Sequence, residues 1–242
     1  MKNSILLATI ILTIALVSTK NADAQQGIQI GIEGTPQMSW IINNDDQTNQ
    51  QFEYQNTLSG SFGISGQYGF TKNMGIGLNA LYSIQGQRFK LSGIERTKQI
   101  EYLKIPLMFN YNYEFNNDIK FIGKIGPQLG VLTNAKLIDK DGGDIVGNHK
   151  EAYEDYDFEG VIYAGIGYKI NENIYIDASL RFDYGFTDAE NKNYTKNINN
   201  PYELIKTNGY STNNNSRKFA NNITSGLSFG IRYVFTKVTE EK

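Results

Sequence analysis

The residues that could do chemistry in this chain are charges set at every second position. Glu33, Lys104, Lys120, Lys124, Lys169, Asp177, Arg181, Asp183 and Arg232 all fall on the less apolar side of segments whose other side is greasy. Asp177, Arg181 and Asp183 stand at i, i+4 and i+6, so a strand would put them on one face with a carboxylate two residues from the arginine. Such groups can pair, relay a proton or pass a small ion. In an interior only wide enough for side chains, an unpaired charge is costly. The expectation is therefore a structural lumen cluster of Glu33, Lys104, Lys124, Asp177, Arg181, Asp183 and Arg232, closed by ion pairs; a narrow small-solute channel is the alternative.

Catalytic groups are sparse. His149 is the single histidine and lies in a long polar segment, where a nucleophile and base held on strands would be needed. No serine spacing converges on it, so no enzyme and no cofactor are expected. The run Asp139, Lys140, Asp141, Gly142, Gly143, Asp144 has the composition of a calcium loop but lacks its regular oxygen spacing and distal Glu, and reads as a tight glycine turn. No metal site follows. The chain has no Cys, which excludes disulfides and thiolate ligands. With 23 basic and 25 acidic residues it carries no basic stripe for nucleic acid.

The walls that must position these charges repeat one pattern eight times. In residues 223–235, Ile223, Leu227, Phe229, Ile231, Tyr233 and Phe235 alternate with Thr224, Gly226, Ser228, Gly230 and Arg232. The same period of two recurs over residues 27–40, 58–70, 74–84, 101–115, 119–133, 158–170 and 174–186. The predicted links alternate too. Short ones fall at residues 71–73, 116–118 and 171–173, and long ones at 41–57, 88–98, 135–157 and 188–222. A soluble eight-stranded barrel would keep apolar residues inside for a ligand. Here the charged face is the inner one, which points to lipid outside. The fold class expected is all-β: an eight-stranded antiparallel transmembrane β-barrel with short periplasmic turns and long extracellular loops, both termini periplasmic.

Residues 1–24 read as a cleaved signal peptide, with Lys2 before an apolar run over 5–17 and Ala22, Asp23, Ala24 as cleavage site. The run is shorter than the roughly 20 residues of a spanning helix. Residues 25–242 then form one barrel domain in the outer membrane. In the last loop Tyr194, Tyr202, Tyr210 and Phe219 punctuate an Asn-rich stretch that suits either surface recognition or a solvated, variable surface loop, and the acidic run 151–159 is expected to be solvated.

Several stretches resemble the PorT-like outer-membrane β-barrel family of Gram-negative bacteria: Tyr102, Leu103, Lys104, Ile105, Pro106 and Leu107; Gly126, Pro127, Gln128, Leu129 and Gly130; Gly165, Ile166, Gly167 and Tyr168; and Arg181, Phe182, Asp183, Tyr184 and Gly185. The resemblance covers roughly residues 27–235 and implies an eight-stranded outer-membrane barrel, with a protein-secretion assembly as the setting of its name-giving member. It brings no set of functional residues. The partners expected are outer-membrane lipid and, through the loops, a secretion-complex protein or an extracellular ligand.

Overall fold

The computed structural model describes residues 27–43, 52–91, 94–144, 149–191 and 219–235. Residues 1–24, where a signal peptide is expected, and Tyr194, Tyr202 and Tyr210 of the expected last loop lie outside these. Nine strands run in chain order: β1 (Gly27–Asn43), β2 (Phe52–Gln55), β3 (Thr57–Gly69), β4 (Met74–Leu91), β5 (Ile94–Glu114), β6 (Ile119–Asp139), β7 (Tyr156–Lys169), β8 (Ile174–Gly185) and β9 (Ala220–Val234).

Every pairing is antiparallel, and the sheet closes on itself. β1 pairs with β3 on one side and β9 on the other, from Gln29 opposite Val234 to Asn43 opposite Ala220. β4 pairs with both β3 and β5, and the chain then pairs neighbour to neighbour through β6, β7 and β8 to β9. β2 and β3 are one wall interrupted at Asn56, because β2 continues along β4 with Phe52 opposite Leu91 and Gln55 opposite Arg88. The molecule is an eight-stranded antiparallel barrel, which leaves no long strand edge unpaired.

The period-two pattern sorts side chains by wall face. Leu58 is 79% exposed, Leu180 65%, and Phe62 and Ile64 63%, while Glu33, Ser61, Lys104 and Arg181 on the inner face are buried. Aromatic rings cluster at both ends of this apolar band. Tyr113 meets Phe115 and Tyr233 meets Phe235 at one end; Tyr184 and Phe158 both meet Phe186 at the other. Two girdles around an apolar belt are what a bilayer selects.

At one end the three hairpin turns share a device in which a polar side chain caps the turn. Asn116 Oδ1 accepts from the Asp118 and Ile119 amides (3.0 and 2.8 Å), Asn171 Oδ1 from Asn173 and Ile174 (3.0 and 2.9 Å), and Thr71 Oγ1 from Met74 (2.9 Å).

The other end departs from the sequence reading. The expected long link over 88–98 is mostly strand, since β4 reaches Leu91 and β5 resumes at Ile94. There the outer face has turned polar, with Glu95, Thr97 and Gln99, so the apolar signal fades while the ladder continues. β6 likewise runs on to Asp139 through a bulge, where the register shifts opposite Glu101 and Tyr102. Leu132 faces inward before it, and Ala135 and Leu137 after it, so the alternation changes phase at Thr133, whose hydroxyl donates to the Glu101 carbonyl (2.9 Å).

Beyond β6 the chain folds back over the barrel mouth through a single 3-10 turn, Lys150–Ala152. Ala152 and Tyr153 join Ile41, Ile100, Tyr102, Leu132, Ala135 and Ala220 in an apolar cap. The acidic run 151–159 is therefore not a simply solvated segment: Asp157 and Glu159 are fully buried on β7. His149 is buried as well, edge-on to the Tyr153 ring.

Candidate functional site

The inner wall gathers six buried cations, Lys98, Lys104, Lys120, Lys124, Arg181 and Arg232, and six carboxylates, Glu33, Asp157, Glu159, Asp177, Asp183 and Glu190, among the described residues. They form a file from the capped mouth to the short-turn end.

The densest part is built on β5 to β8. Lys104 Nζ donates to Glu159 Oε2 (2.8 Å) and Asp183 Oδ2 (3.1 Å). Arg181 holds Asp183 in a fork, Nε to Oδ1 at 2.8 Å and Nη2 to Oδ2 at 2.9 Å, and Nη2 also donates to Gln128 Oε1 at 2.9 Å. Gln128 turns its amide onto Glu159 through a short contact and onto Asp183 at 3.3 Å. Across the lumen on β1, Glu33 Oε1 accepts from the Tyr163 hydroxyl (3.0 Å) and lies 3.9 Å from Arg181 Nη1. The Arg181 guanidinium also stacks over the Tyr163 ring at 5.2 Å. The partner of Arg181 is thus Asp183, two residues along its own strand, rather than Asp177 four residues back.

Asp177 belongs to a second group. Arg232 Nη2 meets its Oδ1 at 2.5 Å, and Lys124 Nζ approaches the same oxygen at 3.9 Å while lying over Tyr163. Lys120 lies over the Tyr175 ring at 4.1 Å. Glycines give these long side chains room. A Cβ on Gly31 would sit 2.8 Å from Arg232 Cγ, and one on Gly167 would sit 3.1 Å from Lys120 Cε. Lys169, also named from sequence, is only half-buried at this end.

At the mouth, Asn222 Nδ2 donates to Asp157 Oδ2 (2.6 Å) and Thr187 Oγ1 to Asp157 Oδ1 (2.6 Å), and Lys98 pairs with Glu190 at 2.8 Å. Asp157, Glu159, Lys98 and Glu190 are the members that sequence reasoning missed. Glu159 carried a readable signal, since it precedes Val161 and Tyr163 on the inner parity of β7. Glu190 carried none, being placed by a loop.

Chemically, this array neutralises its own charge. Every carboxylate of the dense group contacts a cation or a neutral donor, and apolar side chains, Leu81, Met108, Ile122 and Val161, fill the wall between the charged layers. No group of three metal-ligating side chains occurs among the described residues. The Asp139 carboxylate is engaged by its own turn, accepting from the Asp141 and Gly143 amides (3.0 and 2.7 Å).

An apolar exterior bounded by two aromatic girdles around an ion-paired interior defines the class of outer-membrane β-barrels. The family described as outer membrane protein beta-barrel domain matches residues 21–191, and the chain belongs to it. Among solved structures the chain is similar to Neisserial surface protein A (13% identity, 89% of this chain and 100% of that one, TM-score 0.49) and to OprG from Pseudomonas aeruginosa (11%, 88% and 98%, TM-score 0.49). It is also similar to Ail, the attachment invasion locus protein of Yersinia pestis (14%, 87% and 99%, TM-score 0.43). No curated protein matches the sequence.

Proposed function

We propose that the protein is a plugged outer-membrane barrel whose work is done at the cell surface by the segments joining β1 to β2, β6 to β7 and β8 to β9, without catalysis or cofactor. The observation that carries this reading is the file of buried ion pairs from Lys98–Glu190 to Arg232–Asp177, which occupies the route a solute would take. In this reading residues 1–24 direct export and are removed, the three capped turns face the periplasm with both termini, and the mouth closed by residues 149–153 faces outward. Polar segments on a rigid wall suit contact with a surface ligand or partner protein.

A second reading, an accessory part of a protein-secretion assembly, is favoured by the PorT-like stretch from Tyr102 to Leu107. It differs in its partner and not in its lumen. Planar-bilayer recording tests the plug common to both: the wild-type barrel should give no steady conductance, and a stable ohmic current would replace the plug with a channel. Affinity purification from detergent-solubilised outer membrane divides the two readings. Stoichiometric recovery of secretion components would favour the second.

A further inference from the structure

The lumen is balanced as a whole but not locally. At the short-turn end, among the described residues, Lys120, Lys124 and Arg232 face one carboxylate on the inner wall, Asp177, and two of them converge on one of its oxygens. Lys120 makes no ion pair among the described residues and rests on the Tyr175 ring alone. Glu33, the next carboxylate, already contacts Tyr163 and Arg181. Glu114, at the rim, is bound to Lys72 at 3.1 Å. Half-buried Lys169 adds a further cation at the same end. Surplus buried positive charge is costly unless something negative accompanies it.

Buried polar atoms without a partner among the described residues collect in the same place, acceptors such as Asp177 Oδ2 and Asn79 Oδ1 as well as donors. Arg232, Gly31, Ser65 and Asn79 are successive cross-strand neighbours on β9, β1, β3 and β4. Arg232 Nε, Ser65 Oγ and Asn79 Nδ2 are all buried and have no partner among the described residues. Gly31 lets both neighbours lean over it, since a Cβ there would sit 2.8 Å from Arg232 Cγ and 3.0 Å from Ser65 Oγ. The row thus places three unpartnered donors on the same inner wall as Lys120 and Lys124 of β6.

We propose that the lumen at the short-turn end binds a small inorganic anion of the halide class, held by Arg232, Lys120 and Lys124 and by the neutral donors Ser65 and Asn79. The anion completes the charge balance that Asp177 alone leaves open. It enters from the end bearing the three capped turns, because the dense group around Arg181 closes the other direction.

The test uses the full chain, folded in detergent, in two measurements. Crystals grown in sodium bromide should show an anomalous peak within ion-pair distance of Arg232 and Lys124; bromide found only elsewhere, or nowhere, overturns the site. In solution, Tm should be about 2 to 4 °C higher in sodium chloride than in sodium gluconate of equal ionic strength, since gluconate is too large to enter. The variant Lys120→Met, which leaves the Arg232–Asp177 pair intact, should lose most of that difference. Equal Tm in the two salts overturns the proposal by showing that no chloride-specific binding stabilises the fold, and an undiminished difference in the variant overturns it by showing that chloride acts at some other place. If Lys120→Met does not fold, the bromide experiment on the natural chain decides alone.

Discussion

Arg181 is the side chain on which the interior depends most. It is buried on all sides, spends its fork on Asp183, reaches Gln128 and Ser61, and stacks on Tyr163. Its removal leaves a carboxylate group in the dense cluster short of a cation, and breaking a buried pair from one side costs about 3 to 5 kcal/mol. Arg181→Ala should therefore lower the thermal midpoint markedly. Adding Asp183→Asn should recover much of the loss, because Lys104 retains Glu159 at 2.8 Å and Glu33 keeps the Tyr163 hydroxyl at 3.0 Å. Thermal unfolding of the single and double variants in one detergent checks this. A double variant as unstable as the sum of its two singles would show that packing, and not charge pairing, sets the cost.

At the scale of the strand, the wall is longer than the membrane on one side. β5 carries Leu103, Leu107 and Phe109 outward in the apolar band, then Glu101, Gln99, Thr97 and Glu95 above it, with Glu101 accepting from the Tyr82 hydroxyl through a short contact. An outward charge near the bilayer midplane should cost about 2 to 4 kcal/mol and fall towards zero at the interface. Leu107→Arg or Leu180→Arg should thus shift urea midpoints in lipid vesicles strongly, and Gln99→Arg scarcely at all. Equal losses at Leu107 and Gln99 would place the membrane higher on the wall. The same geometry explains what could be read from sequence. Where one face met lipid, as in residues 223–235, the period of two was plain and so were the strands. Above the band the outer face of β5 is polar, and the bulge at Thr133 changes the phase of β6, so the ends of these strands passed for loop. The lumen charges on β1, β8 and β9 were legible because parity alone selects the inner face. Glu190 and His149 were not, because the folding back of a connecting segment over the mouth leaves no periodic trace.

For the whole molecule, the two ends of the barrel differ in how their strands are joined. The turns at residues 71–73, 116–118 and 171–173 are short and capped by Thr71, Asn116 and Asn171, while β1, β6 and β8 end at the opposite side of the wall. Protease added to intact cells should cut within 192–218 and spare the short turns until the outer membrane is breached, as peptide mapping would record. Cleavage at Asn171, Glu172 or Asn173 in sealed cells would reverse the orientation. The seam between β1 and β9 has a kinetic consequence. Seven of the eight wall-to-wall contacts join strands adjacent in the chain, but the eighth joins its first wall to its last, so ring closure is the step with the greatest loop-closure entropy and comes late. Until then Glu33 cannot meet Arg181, and Arg232 has β8 beside it but no β1. An open intermediate would carry a charged concave face whose exposure to hydrocarbon is prohibitive. Insertion and closure must therefore proceed together, and the charges that plug the finished barrel also prevent an unfinished one from settling in lipid.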